Sequence, residues 1–505
     1  VKFVIGNIDT EVKTGGKDNL IKVDIEKELK AYLSVKVQNS YWATKGKKGW
    51  DGTKCFFVRN KFPTGFLPQV YDLCSEFGYE IELVDERENL PKFRFLDRQD
   101  PLLHNQFYEH SGKEWSMTGK YDYQADFIGY ANHSLLLGDQ SFYFPRGIMD
   151  AATNAGKNII TVGIINNLED PRCLFLLHSK DIYRQAVEFF NEFFNFEIGQ
   201  INDRYYRLAP FTIGMVKSLK VKMDKSMNVV KDMSTYFNTI VVDEAHRAGG
   251  KEYAQVVRSV NAGARYFISG TPLKSKDKVK NLVIVGICGP VLGKISNREL
   301  QDLGVSMKMK VQVYLNNTQV DKLLLGYDEE KEAKIIMSEH RRGLIVQEAK
   351  AREGKQILIA VYEKRHAYYL AEALEKEFPQ DVRVVHGEHG GRVRNIEDFK
   401  KGKFSVLVTS YIMKEGLNIP NIEVLILGMG GMDDITLLQF IGRLVRDDGS
   451  GNEVELIDFY DVGKWVGKHS NYRLNAYKKE QFELIYNYEH TKTGRPKKSE
   501  TQKNS

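Results

Sequence analysis

Cysteine is scarce: four residues in 505, Cys55, Cys74, Cys173 and Cys288, none of them in a CxxC pair. That spacing excludes a zinc ribbon or a redox dithiol, and lone cysteines suit a reducing compartment. No apolar run approaches the roughly 20 residues that a membrane-spanning helix needs. The sequence does not open on the charged-then-apolar pattern of a signal peptide, and it has no repeat of short period. Neither sign of charge is in large excess: 73 Lys and Arg against 67 Asp and Glu leave +6. This mild basicity permits a polyanionic partner without requiring one. The expectation is a soluble cytoplasmic protein with no membrane contact.

What is present is ample core material, with 42% hydrophobic and 11% aromatic residues. The length predicts about three domains. Residues 1–101 read as mixed α and β, with short strands at 1–5, 54–58 and 80–84 and an amphipathic helix at 67–77. Within them, Lys45, Lys47, Lys48 and Trp50 lie in a basic and aromatic stretch. It reads either as a solvated loop or as a nucleic-acid contact. From about residue 107, short apolar runs at 147–151, 173–177, 237–242 and 264–269 alternate with helical patterns. The rhythm returns at 356–361, 382–385, 404–408, 423–427 and 454–459, behind a helical stretch at 328–352. Runs of this kind separated by helices predict buried parallel strands, hence two successive α/β units. Residues 490–505 lack large apolar side chains and are expected to be a disordered basic tail.

Five segments carry chemistry. Thr153, Asn154, Ala155, Gly156, Lys157 and Asn158 follow a predicted strand and open a predicted helix at 159–165. Small residues there let backbone N–H groups approach phosphate, and Lys157 reaches the β- and γ-phosphates. Asn158 stands where Ser or Thr usually holds Mg²⁺. Next, Asp243 and Glu244 end an apolar strand as Asp-Glu-Ala-His. Asp243 suits a Mg²⁺ contact, and Glu244 suits orienting and deprotonating the attacking water. Third, Ser269-Gly270-Thr271-Pro272 ends the following strand. Fourth comes Thr409-Ser410 with Gly416 and Asn418 close behind. Fifth, Gln439 precedes Arg443 and Arg446, three apart and so on one helix face, where two guanidiniums can clamp a γ-phosphate.

In this order the series resembles the DEAH-type helicases and translocases of superfamily 2, from about residue 120 to 461. The resemblance implies two RecA-like parallel-sheet domains in tandem, with ATP and Mg²⁺ as cofactors. It makes Tyr123 and Gln124 adenine readers, and adds Gly416 and Asn418 to the nucleotide site and Gln439 to the catalytic set. It assigns Ser179, Lys180, Arg184, Lys217 and Ser218 in the first domain to nucleic-acid contact, and Arg392, Arg394, Thr409 and Ser410 in the second. A narrower resemblance reaches the N-terminal segment. Trp50-Asp51-Gly52, the run 60–67 and Phe77-Gly78-Tyr79 are similar to phage branch-migration helicases of the UvsW type, in which a small α/β domain contacts duplex DNA. The implied organisation is an N-terminal duplex-binding domain at 1–105, RecA-like domains at 106–298 and 299–489, and the tail. The implied hinge lies near 291–304. The implied protein is a monomer that unwinds or branch-migrates forked and junction DNA, 3′ to 5′, in a bacterial or phage-infected cytoplasm, in recombination, repair or replication. Two departures, Asn158 for a hydroxyl and Asn418 for the Asp of many relatives, bear on turnover. An RNA-remodelling ATPase and a hydrolysis-defective nucleic-acid clamp are the alternatives.

Overall fold

The computed structural model describes the chain apart from residues 14–18, 38–50, 95–104, 109–112, 117–118, 195, 274, 276, 307–308, 321–322, 387–390, 411–421, 432–436, 438–440, 442–453, 491–494 and 497–505. It divides into two compact units, Val1–Ile295 and Ser296–Ser505.

The first unit holds a small mixed sheet and a large, mostly parallel one. The small sheet runs Lys61–Pro63, Asp9–Lys13, Lys2–Ile5, Glu82–Asp85. Its core of Phe3, Phe62, Phe66, Leu67 and Val70 is almost fully buried. The large sheet runs Tyr206–Arg207, Gly199–Ile201, Phe211–Met215, Cys173–Leu177, Thr239–Asp243, Ala264–Ser269, Arg146–Ala151, Val291–Ile295. Its central strands are buried along almost their whole length and mostly apolar because both faces are covered. The first five residues of the span 291–304 expected as a linker hinge are the strand Val291–Ile295. It pairs in parallel with Arg146–Ala151, and the helix Asn297–Asp302 that follows is closed by a capping box between Ser296 and Glu299.

The small sheet is fastened to the large one near the amino ends of its strands. Arg146 opens its strand fully buried and donates to the Asn7 carbonyl at 2.6 Å. Asn7 donates to the Asn261 carbonyl at 3.0 Å, and Arg258 donates to both Asp9 oxygens at 2.8 Å. Gly65 and Gly286 lie back to back, letting the 3-10 turn Thr64–Phe66 approach the helix Lys278–Cys288.

The second unit is a parallel sheet in the order Val382–Val385, Val406–Ser410, Ile357–Val361, Val424–Leu427, Val454–Asp461, Met309–Asn316, Glu483–Tyr486. The expected helix over 328–352 is interrupted. Tyr327–Lys331 passes into a π turn, Glu332–Ile336, and the helix Glu339–Lys350 restarts where the Ser338 hydroxyl accepts the Arg341 N–H. The first piece serves a separate purpose. Buried Glu330 accepts the N–H groups of Lys464, Trp465 and Val466 at 2.7–2.9 Å, capping the helix Val466–Lys479. Beneath it, buried Arg341 pairs with Asp461 at 2.8 Å and buried Arg473 with Asp458 at 2.9 Å. Of the tail expected to lack order, His490, Arg495 and Pro496 are described. Arg495 donates to Asn471 at 3.1 Å, and Pro496 bridges His490.

Candidate nucleotide and nucleic-acid sites

Strand register sets the first site. Asp150 lies opposite Ser269, and Asp243 opposite Ile268. The loop after Arg146–Ala151, the Ser-Gly-Thr-Pro turn and Asp-Glu-Ala-His therefore leave the sheet at one level. They leave at the carboxyl ends, where open α/β sheets bind ligands.

The loop is shaped for an anion. Asn154 at φ 76° and Gly156 at φ 72° are both left-handed. Glycine adopts this conformation freely and asparagine tolerates it. Turns of this kind gather backbone N–H groups into a concave nest, here at the N-terminus of the ten-residue helix Lys157–Asn166. Thr153, Lys157 and Asn158 are half-buried, and Ala155 is buried. Tyr123 and Gln124 meet this loop: the phenol donates to the Ala155 carbonyl at 3.1 Å and the Gln124 amide to the same oxygen at 3.2 Å. Burial pushes the Tyr123 phenol up, keeping it a neutral donor. A side chain at Gly156 would collide with the Gln124 amide.

Asp243 and Glu244 sit half-buried beside this loop's strand pair. The Asp243 carboxylate accepts the Glu244 N–H at 2.9 Å. Glu244 itself is left-handed, φ 53° and ψ 53°, a backbone state that costs a non-glycine residue of order ~1–3 kcal/mol and gathers at functional sites. Its carboxylate lies 3.3 Å from His246 Nδ1, which lies 3.5 Å from Ser269 Oγ. Ser269 Oγ accepts the Thr271 N–H at 3.2 Å. Gly270 packs so closely that a Cβ would stand 3.3 Å from Ala151 O and Ala152 Cα. The three motifs are thus one contiguous cluster. The sequence reading missed Tyr253, a buried phenol raised by burial and then by Asp243 and Glu244. Nothing in its helix distinguishes it from a core tyrosine. Asn158 and Asp243 offer one amide and one carboxylate oxygen. That set fits Mg²⁺, which takes most of its shell from water and phosphate.

The nucleic-acid candidates of the first unit converge on a residue that the sequence reading did not single out. Asp203 receives Lys180 Nζ at 2.7 Å and the Ser218 hydroxyl at 2.5 Å. Hydrogen bonds from Lys180 and Ser218 hold its carboxyl below the usual carboxylate range. Ser218 is buried, and its hydroxyl is committed to this bond. Lys180, Arg184 and Lys217 are exposed, and half-buried Ser179 immediately precedes the helix Lys180–Asn191. In the second unit, Thr409 and Ser410 are buried at a strand end. Val385 pairs with Thr409 and Val361 with Ser410, and His386 accepts or donates to the Tyr368 phenol at 3.1 Å. Arg392 opens the helix Arg392–Lys400, and Arg394 on it is exposed. Lys45, Lys47, Lys48, Trp50, Gly416, Asn418, Gln439, Arg443 and Arg446 lie outside the described residues.

Residues 121–274 match the family described as type III restriction enzyme, res subunit, and residues 340–448 match the helicase conserved C-terminal domain. The chain is a superfamily 2 helicase. As an enzyme it is an ATP-dependent hydrolase. It is 23% identical over 482 residues to the ATP-dependent DNA helicase UvsW of Enterobacteria phage T4, covering 89% of this chain and 90% of that protein. The UvsW crystal structure covers 96% of this chain and 98% of its own, with 19% identity and a TM-score of 0.45. The DNA 3′-5′ translocase XPB2 of Sulfurisphaera tokodaii is 21% identical, over 66% of this chain and 81% of its own length. The Type ISP restriction-modification enzyme LlaBIII, solved bound to DNA, superposes with a TM-score of 0.52 at 11% identity. It covers 83% of this chain and 34% of its own, a likeness of fold alone. Among the described residues, no helix is long and apolar enough to cross a membrane.

Proposed function

We propose that this helicase acts on DNA, translocating 3′ to 5′ to unwind or branch-migrate forked and junction substrates in recombination, repair or replication. The observation that supports the reading is the strand-end cluster in which His246 lies between Glu244 and Ser269 and Asp243 accepts the Glu244 N–H, at the level where the loop 153–158 leaves the sheet. Two relatives named for DNA support the substrate class.

In this reading the loop 153–158 cradles the triphosphate through backbone N–H groups, and Lys157 meets the outer phosphates. Asp243 and Asn158 would hold Mg²⁺, which when bound neutralises developing charge on the phosphates. Glu244 takes the proton of the attacking water. Its position is over-determined, by its left-handed backbone and by His246 and Asp243, which suits a group that has to meet the water at one point. His246 and Ser269 tie that point to the turn before the helix Lys278–Cys288, a route by which hydrolysis reaches the rest of the unit. Arg443 and Arg446 supply cationic charge to the transferring phosphoryl group. Lys180, Arg184 and Lys217, with Arg392, Arg394, Thr409 and Ser410, hold the sugar-phosphate backbone. Contacts of this type give weak sequence preference and strong salt dependence. The segment 1–105, with Lys45, Lys47, Lys48 and Trp50, holds duplex. The motor works as a monomer.

The test is steady-state ATP hydrolysis without nucleic acid, with forked DNA and with single-stranded RNA, against Lys157→Ala as the blank. Stimulation by forked DNA that vanishes in the blank supports the reading. Stimulation by RNA alone replaces it with an RNA remodeller. No hydrolysis above the blank makes the chain a nucleic-acid clamp.

A further inference from the structure

We propose that Tyr205 is a stacking platform for an unpaired base of the tracked strand. The inference rests on the nucleic-acid reading above and adds a contact outside its motifs. Strands Gly199–Ile201 and Tyr206–Arg207 pair antiparallel, with Ile201 opposite Tyr206, so residues 202–205 close a hairpin. The turn is built from its own side chains. Asn202 Oδ1 accepts the N–H groups of Arg204 at 2.8 Å and Tyr205 at 2.9 Å, the bonding of an Asx turn. The Asn202 amide donates to the Tyr183 phenol at 3.1 Å, and that phenol donates to Gln200 Oε1 at 3.1 Å, fastening the turn to the helix Lys180–Asn191. Asp203 is held by Lys180 and Ser218. Asn202 and Asp203 are thus committed to holding the loop, while Arg204 and Tyr205 are exposed, the latter at 56%.

A single exposed tyrosine is ordinary on a protein surface. What distinguishes this one is its mounting. Its turn is bonded to Lys180 and Ser218, one from each of two segments assigned to nucleic-acid contact on other grounds. Lys217, next to Ser218, also lies close enough to stabilise the Asp203 carboxylate. An exposed aromatic on a turn that is bonded to Lys180 and carries Arg204 combines the two features that bind single strands: cations for phosphate, a ring for a base. Stacking needs an exposed base face, so the partner is an unpaired nucleotide rather than duplex. Because every base has a π-face, the contact suits a motor that reads no sequence.

The experiment is a binding titration of the full chain with a labelled single-stranded DNA and with an abasic strand of equal length. Wild type, Tyr205→Ala, Tyr205→Trp and Lys180→Ala are compared across salt concentrations. Tyr205→Ala is expected to weaken binding to the normal strand about 5- to 150-fold, with the salt slope and the melting temperature unchanged. Tyr205→Trp retains affinity, and Lys180→Ala lowers the slope. On the abasic strand, wild type and Tyr205→Ala bind alike. Equal affinity of wild type and Tyr205→Ala for the normal strand overturns the platform alone, as does an equal loss on both strands. If wild type binds neither strand, the nucleic-acid reading fails and the platform with it.

Discussion

Replacing Gly65 by alanine should loosen the small sheet from the large one. A Cβ there would overlap the Val285 carbonyl oxygen and stand 2.6 Å from the Gly286 carbonyl oxygen and 2.8 Å from its carbon. All three are backbone atoms of the helix Lys278–Cys288, so no rotamer change relieves them. Thr64 and Phe66 on either side are buried, so the turn cannot tip outward without exposing them. Overpacking costs about 1–3 kcal/mol, and rigid neighbours put this site at the upper end. Gly286→Ala is the internal comparison. Its Cβ would meet side-chain atoms, Phe66 Cε2 at 2.7 Å and Pro63 Cβ at 3.1 Å, and alanine gains about 1 kcal/mol over glycine within a helix. The net cost there should fall between about 0 and 2 kcal/mol. Native-state hydrogen exchange of the full chain reads the difference, as a lower opening free energy for amides of the helix Leu67–Glu76. Hydrolysis without nucleic acid should stay at the wild-type rate in both variants, because the contact lies near the amino ends of the strands and the nucleotide loop at the carboxyl ends. Gly286→Ala proving equally or more disruptive would refute the steric argument.

Burial, then Arg341, Arg342 and Arg365, depress the His366 imidazole to about 3. It folds neutral, so its contribution is complete above the unfolded value near 6.5 and is lost as pH falls towards 3. Stability should decline by about 1.4 kcal/mol per pH unit in that window, and His366→Gln should flatten the slope in urea melts at pH 4 to 7. Arg473→Met leaves Asp458 and Asp461 buried without that cation and should destabilise the second unit by about 3–5 kcal/mol; an unshifted urea midpoint would count against a structural role for the pair. Glu244→Gln should cut ATP turnover roughly 10²- to 10⁴-fold while fluorescent-nucleotide binding persists. Loss of binding instead would place Glu244 in ligand capture rather than proton transfer.

The parallel strands were legible because burial on both faces demands continuous apolar runs: Cys173–Leu177 and Ile357–Val361 fall where the pattern put them. The strand Met309–Asn316 was not, because it alternates Lys310 and Gln312 with buried Val311 and Val313. Val291–Ile295 was read as a linker because it is an edge strand with Gly293 and Lys294 in place of apolar residues. The same division runs through the site. Gly156 was legible, since a phosphate loop needs a residue that turns left-handed without cost. Glu244 takes the same conformation with a full side chain, and no residue type announces that. Only its company explains it: Asp243 accepting its N–H, and His246 between it and Ser269. Asp203 is the parallel case, an unremarked turn residue that gains its role from Lys180 and Ser218 arriving from two other segments. A motif names groups that act on a ligand, and these can be read one segment at a time. Groups that hold a charge or a turn in place act through neighbours from elsewhere in the chain, so they become visible only once the sheet has brought those neighbours together.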